Sequence, residues 1–113
     1  MQIVRVYSGD DGESHFEDVA PEEMVKIAGQ LGEGDIQLNE RLSPSFSDYH
    51  TAPRRQYVLH LLGIGEYETA DGEKRQLKPG DILVAEDLTG HGHIARGLGE
   101  GTRYILAVPL AAD

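Results

Sequence analysis

The placement of glycine limits the fold of this chain more than any other feature of its sequence. Most of its fourteen glycines fall between short runs of β-forming residues. The clearest examples are Gly63, Gly65, Gly72, Gly80, Gly90, Gly92, Gly97, Gly99 and Gly101. Glycine weakens a helix interior but permits tight turns, so the pattern predicts an all-β protein with short strands.

Length and charge exclude several classes of protein. The 113 residues are enough for a single domain, residues 1–113, with one core. Twenty acidic residues against ten basic ones give a net charge of −10, which repels phosphate backbones and anionic lipid. We therefore expect no nucleic-acid partner and no membrane association. The absence of cysteine excludes disulfides and thiolate metal sites. The sequence begins without an apolar run resembling a signal segment, so we expect a cytoplasmic protein.

Short alternating segments predict the strands. They are residues 2–7, 15–19, 35–42, 56–62, 66–70, 74–77, 82–85, 91–95 and 103–108. Residues 35–42 alternate as in a half-buried strand, residues 43–47 and 97–101 are expected to interrupt strands, and Asp71-Gly72 suits a type I′ hairpin. Residues 21–31 have helical spacing, although an irregular covering strand remains an alternative. The whole predicts a sandwich or a jelly-roll barrel.

Two segments carry polar side chains toward a common interior. His50, Arg54 and Gln56 have even spacing ahead of a predicted strand, and even spacing places side chains on one face. His93 ends a second segment that follows the predicted strand at 82–85. The sequence therefore predicts a pocket lined by His50, Gln56 and His93.

The first of these segments resembles a motif of the cupins, a superfamily of small jelly-roll β-barrels. That motif runs G-x5-H-x-H-x3-4-E-x6-G, and the stretch from His50 through Ala52 and Gln56 to Gly63 follows its spacing. Ala52 stands in place of the second histidine and Gln56 in place of the glutamate. The resemblance covers residues 34–109 and implies a single-domain cupin-type barrel.

The second segment resembles the other cupin motif, G-x5-P-x-G-x2-H-x3-N, through Gly80 and the later Gly90-x2-His93. The resemblance implies a divalent metal ion, Fe, Ni, Mn, Cu or Zn, held by His50, Gln56 and His93. Bound metal would act as a Lewis acid or as a site of oxygen activation, in a dioxygenase, isomerase or lyase. Two imidazoles and a neutral amide form a weaker site than three imidazoles and a carboxylate.

Several other side chains are candidates for the same pocket. His91 has the same parity as His93 and would supply a further imidazole if the segment were extended. His91 and Asp87 are the candidates for a proton carrier; the alternative for both is a solvated loop residue. Arg54, Arg55 and Tyr49 are candidates for binding a carboxylate-bearing substrate, and only one of the adjacent arginines is expected to face inward.

The sequence leaves two functions open. The first is a metal-dependent enzyme acting on a small polar or carboxylate-bearing molecule. The second is a non-catalytic ligand-binding or accessory module that uses no metal. Small proteins of the cupin type commonly pair through N-terminal strands and sheet edges, so the resemblance also implies a homodimer that covers the edge of residues 2–7.

Overall fold

A computed structural model describes residues 1–27 and 31–111, with side chains in the helix described as far as Met24. The described residues form eight strands and one short helix. In chain order the elements are β1 (Ile3–Ser8), β2 (Ser14–Asp18), α1 (Pro21–Ile27), β3 (Gln37–His50), β4 (Gln56–Leu62), β5 (Ile64–Glu68), β6 (Lys74–Leu77), β7 (Ile82–Glu86) and β8 (His93–Pro109). The prediction of an all-β fold is confirmed.

The strands form one strongly curled sheet in the order β2-β1-β7-β4-β8-β5-β6, with β3 also paired to β8. β8 joins the two halves of this sheet. Ile105 lies between Asn39 of β3 and His60 of β4, whereas Ala95 lies between Ser47 of β3 and Tyr67 of β5. The curl makes a half-barrel whose concave side is enclosed by β3, β4, β5, β7 and β8.

Two expected interruptions are absent from this sheet. β3 continues through residues 43–47, and β8 continues through residues 97–101. The two strands pair with each other over nearly their whole length, and a register shift between Ser43 and Ser45 accommodates the irregular part. Pairing with a neighbouring strand therefore overrides the local preference of proline and glycine for turns.

The first strand is not an edge of the sheet, contrary to expectation. β1 pairs with β2 in antiparallel orientation on one side and with β7 in parallel orientation on the other. Both rows of backbone groups are therefore used within the chain. The predicted pairing of two copies through residues 2–7 has no free edge to use.

The hairpin between β5 and β6 forms as predicted, but its turn differs. Gly72 has a φ of +86°, whereas no residue other than glycine has a positive φ, so Asp71 cannot occupy a type I′ position. The amide of Gly72 donates to the carbonyl of Thr69 at 2.9 Å, and the Asp71 carboxylate accepts from the amide of Glu73 at 3.0 Å. The single left-handed glycine closes a longer turn.

Apolar side chains pack on both faces of the sheet. The concave cluster consists of Val4, Val6, Ala52, Val58, Tyr67, Leu77, Leu83 and Ala85. The convex cluster consists of Ile3, Tyr57, Val84 and Leu110, with Met24 of α1 packed against it. The helix therefore covers the convex face, and the predicted helix over residues 21–31 is confirmed over Pro21–Ile27. Residues 28–30 of that prediction lie outside the described part of the chain, and Leu31 forms an isolated bridge with Leu110.

No helix within the described residues is long and apolar enough to cross a bilayer.

Candidate functional site

The concave side of the sheet encloses a cavity of about 600 Å³. Its floor is apolar and is formed by Val58, Leu83, Ala85 and Ala107, among others. His50, Gln56 and His93 all line it. The structure therefore brings the three predicted side chains to one cavity, although they lie far apart in the sequence.

His93 is the first residue of β8, and its orientation is set by a buried carboxylate. Its Nδ1–H donates to Asp87 Oδ2 at 2.5 Å, with 5% of His93 and none of Asp87 exposed. The carbonyl of Asp87 in turn accepts from the amide of Ala52 at 3.0 Å. With Nδ1 held in this way, Nε2 is the ring nitrogen available to a ligand. Asp87 is thus a buried partner of His93, and it does not line the cavity.

His50 ends β3 and lies beside His93. Its Nδ1 donates to the carbonyl of Asp48 at 2.8 Å, and the two imidazole centroids are 4.7 Å apart. Gly92 allows this approach, because its φ is +74° and a Cβ there would stand 1.9 Å from the His50 carbonyl oxygen. The result is a pair of imidazoles, each with Nδ1 anchored to a protein oxygen.

Gln56 lines the cavity at the start of β4, but its amide oxygen is already engaged. Oε1 accepts from Nε of Arg54 at 3.1 Å, which leaves one lone pair for another donor or a cation. Among residues 1–27 and 31–111, no three His, Cys, Asp or Glu side chains cluster as a metal site. The imidazole pair, with Gln56, is therefore the candidate set of metal ligands in the cavity.

The residues expected to bind a substrate carboxylate lie elsewhere. Arg54 donates to Gln56 and to the carbonyl of Asp35, while Arg55 pairs with Glu86 at 3.1 Å and donates to the Ala111 carbonyl. Tyr49 is 44% exposed. None of Arg54, Arg55 and Tyr49 is among the described residues that line the cavity. Strand alternation was the reason for expecting one arginine to face inward, and it does not apply because β4 begins only at Gln56.

His91 points away from the cavity. Its side chain is 72% exposed, and Nδ1 lies 2.9 Å from the carboxylate of Glu13. The extended segment that would have aligned it with His93 does not form, since β8 begins at His93 and Gly92 between them has a positive φ. His91 therefore does not supply the imidazole that Ala52 lacks.

The cavity contains an arginine, Arg103, that belongs to no motif of the sequence. Arg103 is 8% exposed and lines the cavity, and its register partner on β3 is Arg41, which lines it too. His93 and Arg103 are both odd-numbered residues of β8, and the inward row of that strand runs through His93, Ala95, Gly97, Arg103, Ile105 and Ala107. Even spacing from His93 would have revealed Arg103, had residues 97–101 been recognised as part of one strand.

Tyr67 lines the cavity and contacts both His93 and His60. Its ring centroid lies 5.9 Å from that of His93, and its hydroxyl donates to Nε2 of His60 at 2.8 Å. His60 Nδ1 donates to the carbonyl of Asp81 at 3.1 Å, as expected for a histidine satisfied within the barrel. Burial raises the pKa of Tyr67 to about 12, with the charge of Arg103 acting in the opposite direction. Both Tyr67 and His60 are therefore neutral near pH 7.

Comparison with known proteins leaves the family of this chain open. No protein-family model matches the sequence, and no curated protein matches it as a relative. The fold and the cavity define the class of the protein: an all-β chain whose curled half-barrel sheet encloses a polar-lined cavity.

Proposed function

We propose that this chain is a cupin-type barrel that binds a small polar molecule in its cavity, together with a divalent metal ion held by His50 and His93. The observation that carries the proposal is the imidazole pair. Each ring has its Nδ1 bound to a protein oxygen, and the rings lie 4.7 Å apart at the cavity wall. Ligating histidines in metalloproteins are oriented in this way by outer partners.

The bound molecule completes the metal site in this proposal. Two imidazoles and the second lone pair of Gln56 leave coordination positions open and provide no negative charge. Oxygen donors of the small molecule would fill those positions. A metal ion in this place supplies Lewis acidity or a site for oxygen activation, as an isomerase, lyase or dioxygenase requires. The residues of the chain hold the metal and orient the ligand, and Asp87 keeps His93 in the tautomer that binds.

Metal titration with variants tests this function. The purified protein is titrated with Fe(II), Ni(II), Mn(II), Cu(II) and Zn(II) by calorimetry, alone and with oxalate as a chelating probe. We expect saturable binding of one ion per chain that oxalate strengthens. His50→Ala and His93→Ala should each weaken binding at least tenfold, and Asp87→Asn should weaken it by roughly 10- to 100-fold.

His91→Ala is the matched control, since this surface histidine lies two residues from His93 and does not line the cavity. It should bind metal as the unchanged protein does. Equal affinity in the His50, His93 and His91 variants would show adventitious binding, and the absence of saturable binding for all five ions would refute the metal site.

One observation favours a second function, a binding module without metal. The oxygen of Gln56 already accepts from Arg54, and the described residues contain no cluster of three His, Cys, Asp or Glu side chains. The cavity would then hold its ligand through hydrogen bonds and charge alone. In that case small-molecule binding would be unaffected by a metal chelator.

A further inference from the structure

We propose that Arg103 is the centre of a carboxylate-binding subsite in the cavity, so that the molecule bound there is a short carboxylic acid. This inference rests on the proposed function in one respect, that the cavity binds a small molecule. It assigns the chemical class of that molecule and the residues that recognise it. It does not depend on a bound metal.

Arg103 differs from most of the partly buried arginines of the described chain, which contact carboxylates. Four of them that are at least partly buried contact carboxylates: Arg5 contacts Glu17 and Glu86, Arg55 contacts Glu86, Arg75 contacts Asp18 and Glu73, and Arg96 contacts Glu66 and Glu68. Arg103, the most buried arginine of the described chain, has no carboxylate partner among the described residues. Burial of an unpaired guanidinium is unfavourable, and it is unexpected in a chain with twice as many acidic as basic residues.

Buried donors without an acceptor lie close together at Arg103. Nε of Arg103 and Oγ of Ser43 are both buried without a hydrogen-bond partner. They converge on Gly97, where a Cβ would stand 2.7 Å from each of them and 2.6 Å from Oγ of Ser45. The Ser45 hydroxyl accepts from the amide of Gly97 at 3.1 Å and keeps its own proton free to donate. The absence of a side chain at Gly97 is what lets these polar groups gather at one place.

Two arginines, Arg41 and Arg103, line this end of the cavity. Arg41 is the register partner of Arg103 on β3, and its Nη1 donates to the backbone carbonyl of Glu40 at 3.2 Å. Glu40 also lines the cavity, but among the described residues its carboxylate forms no ion pair with Arg41 or Arg103. Two guanidinium groups thus meet at the cavity. A carboxylate entering between them would neutralise charge and satisfy free donors at once.

The geometry also limits the length of the ligand. The ring of Tyr67 lies 5.9 Å from the ring of His93. Its hydroxyl and Nη1 of Arg103 each lie 3.2 Å from where a Cβ of Gly65 would be, so the hydroxyl and the guanidinium are neighbours. About one tyrosine side chain therefore separates the imidazole pair from Arg103. A molecule of a few carbon atoms would reach from one to the other.

A matched pair of probes tests the subsite. Binding of succinate and of its uncharged diamide, succinamide, is measured by calorimetry and by the shift in melting temperature, in the presence of EDTA. We expect succinate to bind and to raise the melting temperature, and succinamide to have little effect. Arg103→Met should weaken succinate binding at least tenfold and should raise the melting temperature of the free protein, because it removes an unpaired buried charge. Arg103→Lys, which keeps the charge but loses the planar fork, should give an intermediate affinity.

Arg96→Met is the control, because Arg96 does not line the cavity and is paired with Glu66 and Glu68. It should bind succinate normally.

Equal binding of succinate and succinamide would overturn the inference, and so would a lower melting temperature in Arg103→Met together with unchanged succinate affinity. Inorganic phosphate is tested in parallel, and binding tighter than that of succinate would overturn the assignment to carboxylates. The result of this experiment is independent of the metal titration, because the metal site depends on His50 and His93 and succinate binding is measured without metal.

Discussion

At the scale of single residues, His60 shows how burial selects one protonation state. It is 1% exposed, its Nδ1 donates to the carbonyl of Asp81, and its Nε2 accepts from Tyr67. An imidazolium cannot accept at Nε2, so the network requires neutral His60. Burial is the largest cause and lowers the pKa of His60. The hydrogen bond to the Asp81 carbonyl raises this pKa by less, and the nearby charge of Arg103 lowers it again.

This shift predicts a pH dependence of stability. Because the pKa of His60 is lower in the folded state than its unfolded value of about 6.5, its contribution is fully present above about pH 6.5 and is lost as the pH falls toward the folded pKa. We expect the free energy of unfolding to decrease between about pH 7 and about pH 5, and His60→Gln to remove this component. Urea denaturation at a series of pH values measures it.

His15→Gln is the matched control for this experiment. The pKa of His15 is raised, chiefly by its hydrogen bond to Asp11, so its own contribution has the opposite sign. Its replacement should leave the loss of stability on acidification in place. If the slope were the same in the protein with and without His60, protonation of this residue would not be the cause.

At the scale of elements, β8 organises the molecule. It pairs with β3 along one side and with β4 and β5 along the other, and its inward row supplies both His93 and Arg103 to the cavity. The glycines in its middle do not end the strand. Gly97 instead leaves room for the polar groups of Ser43, Ser45 and Arg103.

Replacement of Gly97 tests this role. In Gly97→Ala the new Cβ would come within 2.6 to 2.7 Å of three polar atoms, and the neighbours would have to shift. We expect the free energy of unfolding to fall by about 1–3 kcal/mol. Gly65→Ala is a graded comparison, since its nearest contacts are 3.2 to 3.3 Å and its loss should be smaller. If chemical denaturation showed the same loss of unfolding free energy for Gly97→Ala and Gly65→Ala, the close polar contacts at Gly97 would not be the cause.

At the scale of the whole molecule, the outer face of β3 is unusually apolar. Leu38, Leu42 and Phe46 are even-numbered residues of β3 and, with Ile36 just before the strand, are 60 to 70% exposed; Leu42 also borders the cavity. The residues of β3 that share a face with Arg103 are polar. This reverses the expectation that Ile36, Leu38 and Leu42 would be half-buried. Apolar side chains in such a row are typical of a surface covered by a partner.

The homodimer expected from the sequence therefore remains a prediction, with this face of β3 in place of the first strand as its contact. Light scattering at micromolar concentration should give twice the mass of one chain of 113 residues. Leu38→Glu should shift the protein to the monomer, because it places a charge in the apolar contact. Leu88→Glu is the control, since Leu88 is 44% exposed in the loop between β7 and β8 and is not part of β3, so its replacement should leave the mass unchanged. A monomeric mass for the unsubstituted protein would contradict the prediction.

The local sequence pattern was sufficient to predict the class of fold and part of the candidate site. Period-two alternation and turn residues predicted β4, β6 and β7 nearly to the residue, because these strands depend on their own alternation and on adjacent turns. His50, Gln56 and His93 line one cavity, as the sequence predicted, although His50 ends β3 and Gln56 begins β4, so the even spacing between them does not lie within one strand. Their role there stays a proposal.

Only the tertiary structure decided which segments continue as strands and which side chains face inward. Long β3 and β8 exist because each pairs with the other, and a pairing between residues so far apart in sequence leaves no local signal. The inward position of Arg103, the burial of Asp87 behind His93 and the outward turn of His91 all follow from that pairing and from the left-handed glycine that precedes His93. Alternation within one strand can be read from the sequence, but the bends and partners that set its starting point arise only when the sheet closes.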